Sequence, residues 1–185
     1  MSAIELPAWA VVTPERAAHI TRVTSLIERW ADQRRVSVAE RERWRRAALL
    51  HDALRDADAA VLAHYAPRGD WPARLWHGPA AAAAAERHGE TDRGVLDAVR
   101  YHSVGFAGWD HAGRMLYLAD HLEPGRRHDR AALAALAARV AAEPAAVLAA
   151  VAARRVARLV HEGRPIRKET WEFWNSLRDA SSSSA

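Results

Sequence analysis

"RRAALLHDALRD", residues 45–56, sets an apolar helical run of alanine and leucine against two strongly polar side chains, His51 and Asp52. A histidine and a carboxylate on the buried side of a helix are costly unless something there satisfies them. Adjacent helical positions point about 100° apart, so this pair cannot stack as residues four apart do. The two can still converge on one ion, because an imidazole reaches further than a carboxylate.

Outward from this stretch the chain reads as helices throughout. "TPERAAHITRVTSLIERWADQRR" has Thr13 as N-cap, Pro14 at the first helical position and Glu15 in the first turn. Its stripe Ile20, Val23, Ile27 and Trp30 recurs at helical spacing, with His19 beside the start of that stripe. "SVAE" at 37–40 is a capping box that opens the helix running through Trp44 to Leu50. A short helix follows around 58–65, then the turn-rich "APRGDWPARLWHGP". Pro79 is expected to start "PAAAAAAERH", which Gly89 ends. "TDRGVLDAVRYH" is a further helix, and the loop "SVGFAGWD" leads to the helix "AGRMLYLADHL", stopped by Pro124 and Gly125. Two alanine-rich helices, about 129–142 and 144–162, divide at Pro144. No strand pattern and no repeat emerge, so the expectation is an all-α single domain. It divides into a lead-in at 1–13, the domain at 14–162, an amphipathic segment at 163–179 and a disordered serine tail at 180–185.

The bulk composition narrows the chemistry. A chain of 185 residues, half of them apolar, suits one domain with a real core. No run of about 18 apolar residues predicts a membrane span, and no signal peptide is read, so the cytoplasm is the expected location. With no cysteine there can be no disulfide, thiolate metal site or cysteine nucleophile. The net charge of +4 comes almost wholly from arginine, the single lysine being Lys168. Acidic residues are interspersed, which reads as an ordinary solvated surface with some preference for polyanions, and no specific nucleic-acid binding is expected.

Several polar residues sit where helices turn inward: His19, His51 with Asp52, His77 in "LWHGP", His102 closing "VLDAVRYH", and Asp120 inside "MLYLADHL". An aspartate within an apolar run needs a partner or a metal. Four histidines and two aspartates without thiolate would make two adjacent divalent metal sites sharing a carboxylate. A lone histidine is more often a surface or hydrogen-bonded core residue, so His64, His88, His111, His128 and His161 are assigned to loops or polar helix faces. His121 adjoins Asp120 and reads either way.

The order H…HD…H…H…D on a helical chain resembles the HD superfamily of metal-dependent phosphohydrolases. The stretches "HITRV", "AALLHDALR", "LWHGPAAA", "VLDAVRYHSVG", "MLYLADHLEPGR" and "VHEGRPIRKETWEFWNSL" resemble one branch, the YqeK-like symmetrical bis(5'-nucleosyl)-tetraphosphatases, over residues 16–177. The resemblance implies an HD-domain helical bundle and a centre of two transition-metal ions. Iron comes first, with manganese, cobalt or zinc also compatible. His19, His51, Asp52 and Asp120 would hold one ion, and Asp52 would bridge to a second completed by His77 and His102. The implied reaction is symmetrical hydrolysis of diadenosine tetraphosphate, a small dinucleotide, to two ADP.

Arginine forks match phosphate oxygens, and Arg55, Arg100, Arg126 and Arg127 lie nearest these positions in sequence. Two departures from the family pattern stand out. Arg55 replaces a lysine, keeping the charge but removing any acid role. Phe106 stands where an arginine commonly follows the first glycine of the loop, which bears on phosphate binding and substrate choice. Among the eight tryptophans, Trp30 and Trp44 are read as core, Trp109 as a stacking surface for adenine, and Trp76 as a prop for His77. Trp171 and Trp174 share a face suited to packing onto the domain or a homodimer partner. Two alternatives stay open: another HD phosphohydrolase acting on a nucleotide or phosphodiester, and a non-catalytic nucleotide- or RNA-binding module.

Overall fold

Side-chain caps set the register of the helices. The computed structural model describes residues 4–126 and 129–182, and among these are nine α-helices, one 3-10 turn and no strand. Thr13 caps α1 (Pro14–Arg34), its hydroxyl accepting from Arg16 N, and Ser37 caps α2 (Val38–Leu50) by accepting from Glu40 N. The Glu40 carboxylate does not close a reciprocal box but accepts from Trp44 Nε1 at 2.7 Å and from Arg43 at 2.8 Å. Asp58 caps α3 (Ala59–Tyr65), Asp92 caps α5 (Arg93–Tyr101) and Asp110 caps α6 (His111–Leu122). The helix α4 spans His77–Arg87, α7 Arg130–Arg139, α8 Pro144–His161 and α9 Lys168–Ser182.

Two helix boundaries and one packing face differ from the sequence reading. The helix expected to begin at Pro79 begins at His77, just past the 3-10 turn at Ala73–Leu75. Proline has no N–H, but the first turn of a helix leaves its amides unbonded, so Pro79 is accommodated there. At the other end, α9 runs to Ser182 and so enters the serine tail expected to be disordered from residue 180. Trp171 and Trp174 do not act as one packing face. Thr170 and Phe173 are buried and Trp174 packs against the core, whereas Trp171 is 55% exposed.

The helix α6 is apolar on nearly every side and lies at the centre, packed against α1, α2, α5, α7 and α8. Val23, Ile27, Trp30 and Trp44 join its own Leu116 and Leu118 in one cluster. A second cluster, with Leu54, Trp76, Ala80 and Val99, fills the space between α3, α4 and α5. Two glycines bring the site's elements close. A Cβ on Gly78 would lie 2.8 Å from Arg100 O, so glycine lets the start of α4 touch the end of α5. Gly105 has φ +93° and sits under the Phe173 ring, which seats α9 on the loop between α5 and α6. Upstream of α9, Arg167 donates to Asp70 O at 3.1 Å and lies over the Trp71 ring. No helix among the described residues is long and apolar enough to cross a membrane.

Candidate metal centre

The end of α2 delivers His51 and Asp52 into the interior. His51 caps α2, and its Nδ1 donates to Ala48 O at 2.8 Å, which leaves a lone pair on Nε2. His102 repeats the device at the end of α5, with Nδ1 donating to Val99 O at 2.8 Å. The second turn of α1 brings His19 to the same place, and the start of that helix is held by Thr13, whose backbone N–H and hydroxyl both donate to Asp56 Oδ2 at 2.8 Å. His77 enters from the first turn of α4, and Asp120 from the last turn of α6.

These six side chains form two groups, His19 with His51 and Asp120, and Asp52 with His77 and His102; within each group the ligand-type atoms lie within 4.8 Å of one another. Asp52 faces both halves. Its Oδ1 lies 3.2 Å from His77 Nε2 and 3.4 Å from His102 Nε2. Its Oδ2 lies 3.7 Å from Nε2 of both His19 and His51. His19 Nε2 is also 3.3 Å from Asp120 Oδ1 and 3.3 Å from His51 Nε2, and the Nε2 atoms of His77 and His102 are 3.2 Å apart. Imidazole nitrogens facing one another this closely require a proton or a cation between them. With carboxylate oxygens beside them, the donor set fits a borderline divalent metal.

The electrostatics show the same demand. Burial disfavours charge on His19, but hydrogen bonds to Asp120 and Glu123 outweigh it and raise its pKa to about 9. His51, without such an acceptor, is pushed down to about 4 by burial. Burial also works against ionised Asp52 and Asp120. The neighbouring His51 for Asp52, and Arg126 and His19 for Asp120, nevertheless hold both well below the usual carboxylate range. His77 is lowered by burial, with the charges of His102 and Arg55 adding to the effect. Its Nδ1 is buried without a hydrogen-bond partner among the described residues.

Two contributors were missed in the sequence. Arg16 donates from Nη1 to Asp52 Oδ2 at 2.7 Å, and Glu123, 3% exposed, accepts from His19 Nδ1 at 3.3 Å and from Arg22 Nε at 2.6 Å. Each lies three residues from a singled-out position, Arg16 before His19 and Glu123 after Asp120, so helical spacing was the available signal. Of the expected phosphate-binding arginines, Arg126 is already bonded to the Asp120 carboxylate and backbone oxygen. Arg55 and Arg100 are half-buried and have no acidic partner among the described residues. Arg127 and His128 lie outside the described residues.

Trp109 corrects the stacking expectation. It is 3% exposed, donates from Nε1 to Asp97 O, and packs against Tyr117 and Phe173, so its faces are taken by the core. Phe106 is half-buried and stacks on Tyr101 with ring centroids 4.6 Å apart. Trp76 is buried, with Nε1 donating to Ala66 O. His64, His88, His111 and His161 are exposed, and His121 donates from Nδ1 to Tyr117 O.

An all-helical bundle whose interior gathers histidines and aspartates from five helices around one His–Asp dipeptide matches the HD class. The HD domain family model matches residues 16–142, and the chain belongs to that family. Two curated relatives, each named symmetrical bis(5'-nucleosyl)-tetraphosphatase, are those of Bacillus subtilis and Staphylococcus aureus. They are 33% and 31% identical over 88 residues, 43% of this chain and 47% and 45% of theirs. The match thus spans about half the length of these relatives. A crystal structure from Clostridium acetobutylicum, described as a predicted HD superfamily hydrolase involved in NAD metabolism, shares the fold. Its TM-score is 0.78 at 21% identity, over 91% of this chain and 92% of that one.

Proposed function

We propose that the protein is a metal-dependent phosphohydrolase that cleaves dinucleoside tetraphosphates symmetrically, so that diadenosine tetraphosphate and water give two ADP. The observation that carries the reading is the two-faced Asp52, with Oδ1 toward His77 and His102 and Oδ2 toward His19 and His51. His19, His51, Asp120 and Asp52 Oδ2 would hold one ion, and His77, His102 and Asp52 Oδ1 the other. Iron is the first candidate, with manganese, cobalt and zinc compatible with the same donors. Bound there, such ions supply Lewis acidity and a water of lowered pKa.

The chain's own residues have separate tasks in this reading. Glu123 and the Ala48 and Val99 carbonyls orient the imidazoles, so that each Nε2 faces the donor cluster. Arg55 and Arg100, free of acidic partners among the described residues, take phosphate oxygens and stabilise the charge that builds on them. Arg55 acts by charge alone. The relatives' names support the substrate. Phe106 in place of a loop arginine favours a second reading, the same chemistry on another nucleotide or phosphodiester.

The test is anaerobic preparation with added iron or manganese, a metal count, and identification of products from diadenosine tetraphosphate. Two ADP per substrate, with about two ions per chain, is the expected result. AMP and ATP as products, or activity confined to another phosphoester, would overturn the assignment.

A further inference from the structure

The donors of the candidate centre are almost sealed. His51, His102, His77, Asp52 and His19 are between 0 and 6% exposed, so a phosphate ester reaches them only when a covering element moves. Two loops adjoin the half that contains His77 and His102. One leads into His77, the other follows His102, and they are tied down very differently. The loop after His102 belongs to the core: Val104 and Trp109 are buried, the Gly105 amide donates to Tyr101 O at 2.9 Å, and Phe173 presses on Gly105.

The loop at 66–76, between α3 and α4, is held otherwise. Its ends are joined, because Trp76 donates from Nε1 to Ala66 O at 3.1 Å, and the residue after Trp76 is His77. Between those ends the hydrogen bonds are mostly internal. Trp71 N donates to Arg68 O at 3.1 Å, Arg68 Nε donates to Trp71 O at 2.9 Å, and Leu75 N donates to Pro72 O at 2.8 Å. Residues 67–70 are exposed, and a Cβ on Gly69 would meet nothing within 4 Å. A surface loop with joined ends and its own internal bonds is free to swing as a unit about its base.

One latch ties the tip of this loop to the rest of the protein. Arg167, ahead of α9, donates from Nη1 to Asp70 O at 3.1 Å. Among the described residues this is the one hydrogen bond from 67–75 to a position outside the loop. The same guanidinium lies 4.8 Å from the Trp71 ring centroid, and Glu169 accepts from its Nε at 3.2 Å. Trp71 in turn faces Tyr101, with centroids 6.3 Å apart, and Tyr101 immediately precedes His102. A loop that ends at one candidate ligand and rests on the neighbour of another is placed to cover both. One charge-assisted hydrogen bond and one cation–π contact are small enough to break and re-form thermally.

We propose that the 66–76 loop is a hinged cover over the His77 and His102 half of the centre, held shut by the latch of Arg167 on Asp70 and Trp71. In the hydrolase reading above, on which this role rests, the cover opens to admit the phosphate chain.

Arg167→Ala removes the latch from the α9 side, and Trp71→Ala removes it from the loop side. Lys168→Ala, at a side chain 82% exposed beside Arg167, is the control. Hydrogen exchange on the full chain reads the loop. Exchange across 66–76 should rise about ten-fold in both latch variants, the scale of one charge-assisted hydrogen bond, and keep the wild-type rate in α6 and throughout Lys168→Ala. Carbethoxylation by diethyl pyrocarbonate, followed residue by residue with mass spectrometry in chelator-treated protein, reads the centre. His77 and His102 should react about ten-fold faster in both latch variants, the same scale, while the exposed His111 and His161 react as in the wild type. Unchanged exchange across 66–76 overturns the latch. Faster exchange with unchanged reactivity of His77 and His102 overturns the cover. Neither measurement uses a substrate, so a wild type that leaves diadenosine tetraphosphate intact overturns the hydrolase reading, and the histidines still decide the cover.

Discussion

Glu123 and His19 are joined across 104 residues of chain, the carboxylate meeting ring nitrogen Nδ1 at 3.3 Å. The opposite nitrogen of the same ring faces Asp52 and Asp120. A carboxylate behind a histidine fixes the tautomer and makes the exposed nitrogen a better donor. Arg22 and the Gly125 amide hold Glu123 in turn, and they help keep its pKa at about 2 although burial opposes the charge.

Glu123→Gln should therefore lower metal affinity about 10- to 100-fold, the usual effect of losing such a support. Competition against a chromophoric chelator measures this directly. The glutamine keeps an acceptor but loses the charge, so unchanged affinity would show that the carboxylate only shapes the site.

Metal counting separates the two halves of the cluster. Asp52→Ala should lose both ions, because each of its oxygens faces a different histidine pair. His77→Ala should retain one. His64→Ala and His161→Ala, at exposed positions, should retain the wild-type content and activity. Equal loss in all four variants would overturn the ligand assignment.

The parts of this architecture legible in sequence are those governed by local rules. Thr13, Ser37 and Pro144 mark helix starts because capping depends on a few neighbouring residues. The six-residue set was legible because histidine and aspartate stand out against apolar helical runs. Trp109 was misread because its place depends on Phe173, 64 positions away, whose ring occupies the face meant for adenine. Arg16 was overlooked because an arginine in a first helical turn looks like surface. Only the approach of α2 shows that its guanidinium reaches Asp52. The start of α4 shifted for a related reason. The 3-10 turn at Ala73–Leu75 runs directly into His77, and Pro79 gave the stronger local signal.

Chelator-treated protein should have its stability maximum near pH 6.5. His19 is raised from 6.5 to about 9, so its contribution is complete below 6.5 and disappears as pH rises through 9. His51 is lowered from 6.5 to about 4 and stays neutral in the fold. Below 6.5 the unfolded chain gains a proton there that the folded chain refuses, so stability falls toward pH 4. Thermal melts between pH 4 and 9.5 in the presence of chelator check both limbs. His19→Gln should shrink the alkaline limb, to which His102, also raised, against its burial, by its hydrogen bond to Asp52, contributes the remainder, and keep the acid one. A melting temperature that does not change from pH 6.5 to 9.5 in the wild type would refute the His19 contribution.

Phe106 offers a test of how the loop after α5 bears on substrate. Its ring lies nearly parallel to Tyr101, 4.6 Å between centroids, and Tyr101 immediately precedes His102. The loop is thus anchored to the end of the helix that carries one of the candidate ligands. Phe106→Ala removes that stack, worth about 0.5–1.5 kcal/mol beyond the buried area, and should lower the melting temperature by several degrees. Phe106→Arg should behave differently. A guanidinium can lie on the tyrosine face and keep part of the stack while adding a charge where the family commonly has one. The KM for diadenosine tetraphosphate should then fall about ten-fold, since a hydrogen bond to a charged group contributes about 1.5–3 kcal/mol. Turnover should change less, because no residue of the His/Asp cluster is altered. If Phe106→Arg leaves KM unchanged and Phe106→Ala raises it, the ring itself contacts the base, and the loop has exchanged a phosphate contact for a stacking one.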